Sequence, residues 1–351
     1  MSAVNSKRVD WLDMLRGFAM ICVVLGHPAD VPGDIEKWIY AFHMPLFFII
    51  SGATFRYERY TALKQCVLDQ ARKLLLPYVV MFIVCVPFYW LNRVFLPGDS
   101  PKKMSHLITG FFYANQGLET MSNGALWFLP TLFLTSVLFW WLSDLDHRGK
   151  VDIAASIGGL FLLGLFIATF TDFDAVWAIS CVPLTVTFYY LGHVVMTAFH
   201  KHRVEIEQMS SSVMCFAAVL LLSVGTWAAF ENRKISVLNN RYGTVILALI
   251  GIVAICGGLT LILMRAPHIK VLSFIGKNTL IYLGYHIPVM RFLENWSVTA
   301  QFCTNHPLWE GAAVVLILIP ISYLISRYVP ILGGKLPSRS SKTKENVTAA
   351  A

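Results

Sequence analysis

The chain has 351 residues, of which 56% are hydrophobic and only 14% are charged. Apolar stretches of about 20 residues recur from end to end, a pattern that excludes a soluble globular domain and indicates a membrane-embedded protein. The net charge of +8 comes from basic residues dispersed among short loops without a nucleic-acid-binding motif, so nucleic acid is not a predicted partner.

The apolar stretches predict an all-α polytopic membrane protein with about ten transmembrane helices. Residues 1–335 form one predicted membrane domain, and residues 336–351 form a short polar tail that is predicted to be disordered. The weakly apolar segment 104–118 is a predicted interfacial or re-entrant helix. The ten predicted spans are 11–27, 36–55, 74–96, 125–143, 151–170, 174–199, 211–230, 243–264, 271–291 and 307–333.

The distribution of basic residues predicts the orientation. With a cytoplasmic N-terminus, the inner loops hold 17 of the 28 Lys and Arg residues and the outer loops hold eight. Both termini are therefore predicted to be cytoplasmic. The seven cysteines contain no C-x-x-C pair and lie mostly in apolar segments, so neither a disulfide framework nor a metal site is predicted.

Arg16 lies inside the first apolar segment, where a charge costs roughly 2.5–3.5 kcal/mol and is retained only if something binds it. His27 follows 11 positions later, on roughly the same helix face and about 16 Å along the axis. Such a pair can hold opposite parts of one long ligand, and an extended thioester-carrying pantetheine arm has about that reach. The alternative is that Arg16 snorkels to the inner headgroups and His27 only ends the helix before Pro28.

The predicted topology also places three histidines at one depth. His27 ends the first span, while His43 and His286 lie in the outer parts of the second and ninth spans. For His43, a role in binding the acceptor or orienting His27 competes with hydrogen-bonded packing in an apolar helix. The remaining histidines fall at span ends or in loops.

Several segments resemble the membrane-bound acyltransferase family 3, and in particular its single-domain sugar O-acetyltransferases related to fucose acetylases. The first segment reproduces the family signature of a basic residue, ten residues and a histidine, with Arg16 and His27 at its ends. The matching segments are WLDMLRG at 11–17, VLGH at 24–27, FHMPLFFIISG at 42–52, RKLLLPY at 72–78, LWFL at 126–129 and IGKNTLIYLGYH at 275–286.

This resemblance implies transfer of an acyl group, usually acetyl, from cytoplasmic acetyl-CoA to a hydroxyl of an extracytoplasmic or lipid-linked glycan. It makes His27 the expected catalytic histidine, acting as a general base or as an acyl carrier, and Arg16 the residue that positions the donor. The CoA phosphates need cations, for which Arg56, Arg72 and Lys73 near the second inner loop are candidates. Basic inner loops are, however, a general feature of membrane proteins.

The other candidates for the site each have a simpler alternative. Asp13, one turn before Arg16, either orients the guanidinium or caps the helix. Ser51 either lines the site or, with Gly52, permits close helix packing. Trp127 either stacks on a sugar or belongs to the aromatic belt. The remaining candidates are His43, Asn278 and His286.

The expected setting is a bacterial cytoplasmic (inner) membrane, with acyl-CoA, a glycan or lipid-linked sugar, membrane lipids and a further copy of the chain as candidate partners. A transporter or flippase of a glycolipid or small solute is the alternative function. Inverted repeats or helices broken by Gly or Pro in matching halves would favour transport, and the sequence shows neither. A membrane scaffold would leave Arg16 unexplained.

Overall fold

The computed structural model describes residues 10–95, 104–115, 123–171, 175–232 and 245–334, so the predicted tail lies outside the described residues. Within these ranges the regular structure is helical, as predicted. The helices are α1 (Asp10–Leu25), α2 (Gly33–Ala53), α3 (Leu63–Gln70), α4 (Leu76–Phe95), α5 (Met104–Tyr113), α6 (Phe128–His147), α7 (Ile153–Phe170), α8 (Val182–Lys201), α9 (Arg203–Gln208), α10 (Ser211–Glu231), α11 (Val245–Arg265), α12 (Lys270–Lys277), α13 (Thr279–Asn295), α14 (Ala300–Asn305) and α15 (Pro307–Tyr328).

Seven helical segments among the described residues are long and apolar enough to cross a membrane, which makes this a multi-pass membrane protein. They are Leu63–Phe88, Gly124–His147, Ile153–Phe170, Val176–Lys201, Ser211–Glu231, Val245–Arg265 and Pro307–Tyr328. The other predicted spans contain α1, α2 and α13. At 16 and 17 residues, α1 and α13 are shorter than about 30 Å of hydrocarbon requires, and α2 begins with charged residues. Ten spans and the orientation therefore stay predictions.

Two pairs of helices are in backbone contact through glycine. In the α2–α8 pair, a Cβ atom on Gly52 would overlap the carbonyl oxygen of Tyr189, and one on Gly192 would overlap that of Ile49. In the α1–α12 pair, Gly276 lies in the same way against the carbonyl oxygen of Asp13. Small residues allow such approach in membrane proteins, and here they hold α2 against α8 and α1 against α12.

We expect Gly52→Ala to destabilise the protein by about 1–3 kcal/mol, because the added methyl group cannot fit without separating α2 from α8. Thermal unfolding in detergent, followed by the loss of monodisperse protein, measures the effect. Gly158→Ala on α7 is the matched control, since a Cβ there meets nothing within 4 Å. Equal melting temperatures for the two variants would contradict the close packing.

The predicted ninth span is wrong in one respect, because it is not a continuous helix. α12 ends at Lys277, α13 begins at Thr279, and Asn278 lies between them with φ −119° and ψ 22°. Gly276 and Asn278 are poor residues for a helix interior, and Asn is favoured at a helix start. The break places the N-terminal end of α13, with its partial positive charge, inside the helical domain.

Candidate active site

His27 and His43 line one small chamber, which we call the histidine chamber, and a third histidine, His286, packs against His27 without lining it. His27 follows α1, His43 belongs to α2 and His286 to α13. The ring centroids of His27 and His286 are 4.9 Å apart in an edge-to-face arrangement, and Tyr40 lies 6.5 Å from His27 and 5.0 Å from His43. The chamber has a volume of about 70 Å³ and is lined by His27, Tyr40 and His43 among apolar side chains.

Each of the three imidazoles makes the same backbone hydrogen bond. In each case Nδ1 faces the carbonyl oxygen of the residue four positions earlier. The distance is 2.6 Å from His27 to Val23, 2.8 Å from His43 to Ile39, and 2.7 Å from His286 to Tyr282. A carbonyl oxygen only accepts, so Nδ1 carries the hydrogen. In the neutral ring, Nε2 is then the basic nitrogen with a free lone pair. The basic nitrogens of His27 and His43 therefore belong to residues that line the chamber, whereas Nε2 of His286 is buried beside it without a hydrogen-bond partner among the described residues.

Arg16 lies on α1 toward the opposite end of the helix, within a group of charged residues. Its Nη2 donates to Oγ1 of Thr54 at 3.0 Å, and its Nη1 lies 3.8 Å from Oδ1 of Asp13. Oδ2 of the same carboxylate lies 3.9 Å from Nζ of Lys277, which the glycine contact between α1 and α12 brings into reach. Two cations thus flank one buried carboxylate.

These charges border the second cavity, which we call the middle cavity, with a volume of about 270 Å³. Arg16, Lys277 and Asn278 line it, together with Thr279 and Leu280 at the start of α13. Since the N-terminal end of a helix carries partial positive charge, α13 adds to the potential of Arg16 and Lys277. The middle cavity is therefore suited to a ligand with a negative or strongly polar group.

A third and larger cavity, the basic cavity, has a volume of about 970 Å³. Its wall contains Arg16, Arg56, Arg59 and Lys73, with Glu58 as a lining carboxylate. Most of these residues come from the loop and helix after α2, on the side predicted to be cytoplasmic. The excess of positive charge makes this cavity a candidate site for a polyanion.

A hydrogen-bond network fixes part of the basic wall. Asp69 accepts a hydrogen bond from Lys73 Nζ at 2.6 Å and one from the Tyr60 hydroxyl at 2.5 Å, and Arg59 Nε lies 3.8 Å away. Gln70 donates to the Tyr60 oxygen at 3.0 Å. Burial, and then the hydrogen bond to Asp69, raises the pKa of Tyr60 well above its ordinary value, so the hydroxyl stays a donor.

The three cavities share walls and decrease in size in one direction. Arg16, Ser51 and Leu280 line both the basic and the middle cavity. Phe47 and Leu280 line both the middle cavity and the histidine chamber. The volumes fall from about 970 to 270 to 70 Å³. A long ligand with a large charged end and a small reacting end fits this order.

Residues 9–327 match the family model Acyl_transf_3, which describes an acyltransferase domain. The chain belongs to acyltransferase family 3. Together with its membrane-spanning helices, this membership makes the protein a membrane acyltransferase, and the matched range includes His27, Arg16, Lys277 and His286. No curated protein matches the chain, and no solved structure matches it either.

The acyltransferase has most of its predicted site residues on the walls of these cavities. Ser51 and Asn278 both line the middle cavity. Ser51 Oγ donates to the carbonyl oxygen of Phe47 at 2.7 Å, and the Asn278 amide donates to that of Phe274 at 2.9 Å. Trp127 is buried, with 3% exposure, and lines the histidine chamber, so it does not belong to a lipid-facing aromatic belt.

The three predicted cations of the donor site do not share one position. All three side chains are exposed, but only Arg56 and Lys73 line the basic cavity of the acyltransferase, and Arg72 does not. Residues Ala71–Leu75 form a π-helical turn, in which neighbouring side chains point in different directions. The sequence alone does not reveal which of the adjacent residues Arg72 and Lys73 lines the basic cavity.

Three wall residues of the acyltransferase were not singled out from the sequence. Lys277 had a usable signal, because it is a charge within a predicted span, like Arg16. Tyr40 lies three residues before His43 and therefore on the same face of α2, which is a weaker signal. Thr54, the hydrogen-bond partner of Arg16, follows the end of α2, and no feature of the sequence marked it as a site residue.

Proposed function

We propose that the protein transfers an acetyl group from cytoplasmic acetyl-CoA to a hydroxyl of an extracytoplasmic or lipid-linked glycan in a bacterial inner membrane. The observation that carries this proposal is the series of three adjoining cavities, which narrows from a basic entrance past Arg16 to the histidines. CoA has the same order of parts: a polyanionic nucleotide, a long polar arm and a small thioester.

The charges support an assignment of each part of the donor. The nucleotide phosphates would lie in the basic cavity with Arg56, Arg59 and Lys73. The pantetheine arm would pass Arg16 and the start of α13 in the middle cavity. The thioester would then reach the histidine chamber, where Nε2 of His27 offers a lone pair.

Two reaction sequences fit this arrangement. In the first, His27 takes the proton of the acceptor hydroxyl while the hydroxyl oxygen attacks the thioester carbonyl. The protonated His27 then gives this proton to the CoA thiolate as it leaves. In the second, Nε2 of His27 attacks the thioester and releases CoA, and the acceptor hydroxyl then attacks the acyl-imidazole. The second sequence leaves a transient acetyl group on the protein, which acid quenching and peptide mass spectrometry would detect on His27.

Calorimetry in nanodiscs tests the donor assignment. We expect saturable binding of acetyl-CoA and CoA, with Lys73→Gln weakening both by about tenfold because a charge-assisted contact is lost. Arg72→Gln is the adjacent control and should have a smaller effect, since Arg72 lies off the cavity wall. No binding by folded wild-type protein would reject the donor and favour transport.

The acceptor assignment needs a separate measurement. Mass spectrometry of surface glycans from cells with and without the gene should show a mass increase of one acetyl group that depends on the protein. Unchanged glycans in cells whose membranes contain the folded protein would contradict the glycan acceptor, while leaving the donor assignment to the calorimetry.

A further inference from the structure

A proline in α13 leaves one backbone carbonyl of that helix without its usual donor. In an α-helix the carbonyl oxygen of each residue accepts from the N–H four positions later. The residue four positions after Gly284 is Pro288, which has no N–H to donate. Inside a membrane such a carbonyl has no water to bond to, so a neighbouring group has to satisfy it.

The buried side chain of Asn123 supplies that donor. Its Nδ2 lies 2.8 Å from the carbonyl oxygen of Gly284 and 3.4 Å from that of Leu283, while its Oδ1 accepts from the N–H of Ala125 at 3.0 Å. Only the amide nitrogen can donate to the carbonyls and only the amide oxygen can accept from an N–H, so the contacts fix the orientation of the amide. The thiol of Cys85 is a second, weaker donor to the same Gly284 oxygen at 3.3 Å.

One partner of Asn123 belongs to a wall of the histidine chamber. Ala125 and Trp127 line the chamber and lie in the short helical turn Gly124–Trp127, which begins directly after Asn123. The bond from the Ala125 N–H to the Asn123 side chain is the N-terminal cap of this turn. Asn123 therefore fixes the start of that wall.

The other partners are the Leu283 and Gly284 carbonyls on α13, the helix that carries His286. Leu283 lines the chamber, and His286 follows Gly284 by two positions. The ring of His286 meets that of His27 edge-to-face, with the centroids 4.9 Å apart. A shift of α13 relative to the 124–127 turn would therefore move Leu283 and His286 together relative to His27.

We infer that Asn123 is a positioning residue for acyl transfer, because it holds α13 against the 124–127 turn and so keeps the chamber wall and His286 in place around His27. This inference rests on the proposed function, since the rate concerned is that of the reaction proposed at His27. Asn123→Ala should lower that rate by about 10- to 100-fold, as expected when reacting groups are misplaced by about 1 Å. Donor binding should stay close to wild type, because Asn123 lines neither the basic nor the middle cavity.

The first measurement separates rate from folding. Acetyl transfer from saturating acetyl-CoA to the glycan is followed by mass in membranes of host cells that lack the native gene and contain the variant. The rate is divided by the number of CoA-binding sites that the variant adds to the same membranes. Protein that fails to fold adds no site, so a merely structural role would leave this rate per site unchanged. Asn123→Asp, which keeps the acceptor for Ala125 but no longer donates to Gly284, should lower the rate per site as well and is the second variant if Asn123→Ala adds no site.

Thr185→Val is the matched control. It removes the buried hydrogen bond between the hydroxyls of Thr185 on α8 and Thr135 on α6, whose oxygens are 2.7 Å apart. Neither residue lines any of the three cavities. The melting temperature should therefore fall, as in Asn123→Ala, while the rate per site stays at the wild-type value.

A thermodynamic cycle tests the contact without any substrate. Pro288→Ala returns an N–H to position 288, which can bond to the Gly284 carbonyl within α13. Asn123→Ala should therefore lower the melting temperature less in the Pro288→Ala background than in the wild-type background. Equal losses in both backgrounds would overturn the assignment of the Asn123 amide to this carbonyl.

The outcomes separate this inference from the function on which it rests. A wild-type rate per site in an Asn123 variant that binds CoA would overturn the positioning role, as would an equal loss of rate in Thr185→Val. Wild-type protein that binds no CoA and transfers no acetyl would overturn the proposed function and with it the role of Asn123 in transfer, although the cycle would still detect the contact. A low rate per site in both Asn123 variants, with a normal one in Thr185→Val, would support the inference.

Discussion

His27→Ala should reduce acyl transfer by at least about 10², the lower end of the contribution of acid–base catalysis. The reason is geometric, because the Val23 carbonyl holds Nδ1 and leaves Nε2 of His27 as the basic nitrogen in the chamber. Alanine removes that nitrogen under either reaction sequence. Donor binding should persist, since the basic cavity lies beyond the middle cavity and does not include His27.

The measurement pairs glycan acetylation with CoA calorimetry on the same preparation. His193→Ala is the matched control, because His193 is a half-buried histidine on α8 outside the chamber. It should leave both acetylation and binding close to wild type. Near-normal acetylation by His27→Ala that still binds CoA would reject His27 as the catalytic residue. His286, whose Nε2 is buried without a hydrogen-bond partner among the described residues, would then be tested first.

The sequence predicted the helical architecture, because apolar length is a local pattern, whereas the common membrane depth of the three histidines stays a prediction. Apolar length predicts helices, and position within a span predicts depth. The sequence did not predict that the rings of His27 and His286 meet, since that contact depends on how α1 and α13 pack. It also missed the break at Asn278, because hydropathy averaged over residues 271–291 hides one residue between two helices.

The donor site shows the same division between local and tertiary information. The basic loop was visible in the sequence, but the direction of each side chain was not, and the structure places Lys73 rather than Arg72 on the cavity wall. Lys277 was passed over although it is a charge in a predicted span. Its reach to Asp13 depends on the glycine contact between α1 and α12, which only the packed structure reveals.

The charged group around Arg16 is expected to act on binding rather than on chemistry. Arg16 lines both the basic and the middle cavity, so a CoA arm that joins the two has to pass it. It is held there by Thr54 and by the buried Asp13. Its guanidinium cannot be deprotonated in a protein and is therefore a poor general base.

Arg16→Ala should weaken acetyl-CoA binding by about 30-fold, which corresponds to about 2 kcal/mol, the lower end for truncating one partner of a buried charged contact. Nanodisc calorimetry measures this loss, and His27→Ala should not show it. Because the substitution also removes a cation beside Asp13, the double variant Asp13→Asn with Arg16→Ala controls for the charge left behind.

If the double variant binds acetyl-CoA as tightly as wild-type protein does, the loss came from the uncompensated carboxylate. If Arg16→Ala alone binds normally and yet fails to transfer acetyl, Arg16 acts in the chemical step and the proposed division between donor binding and catalysis is wrong.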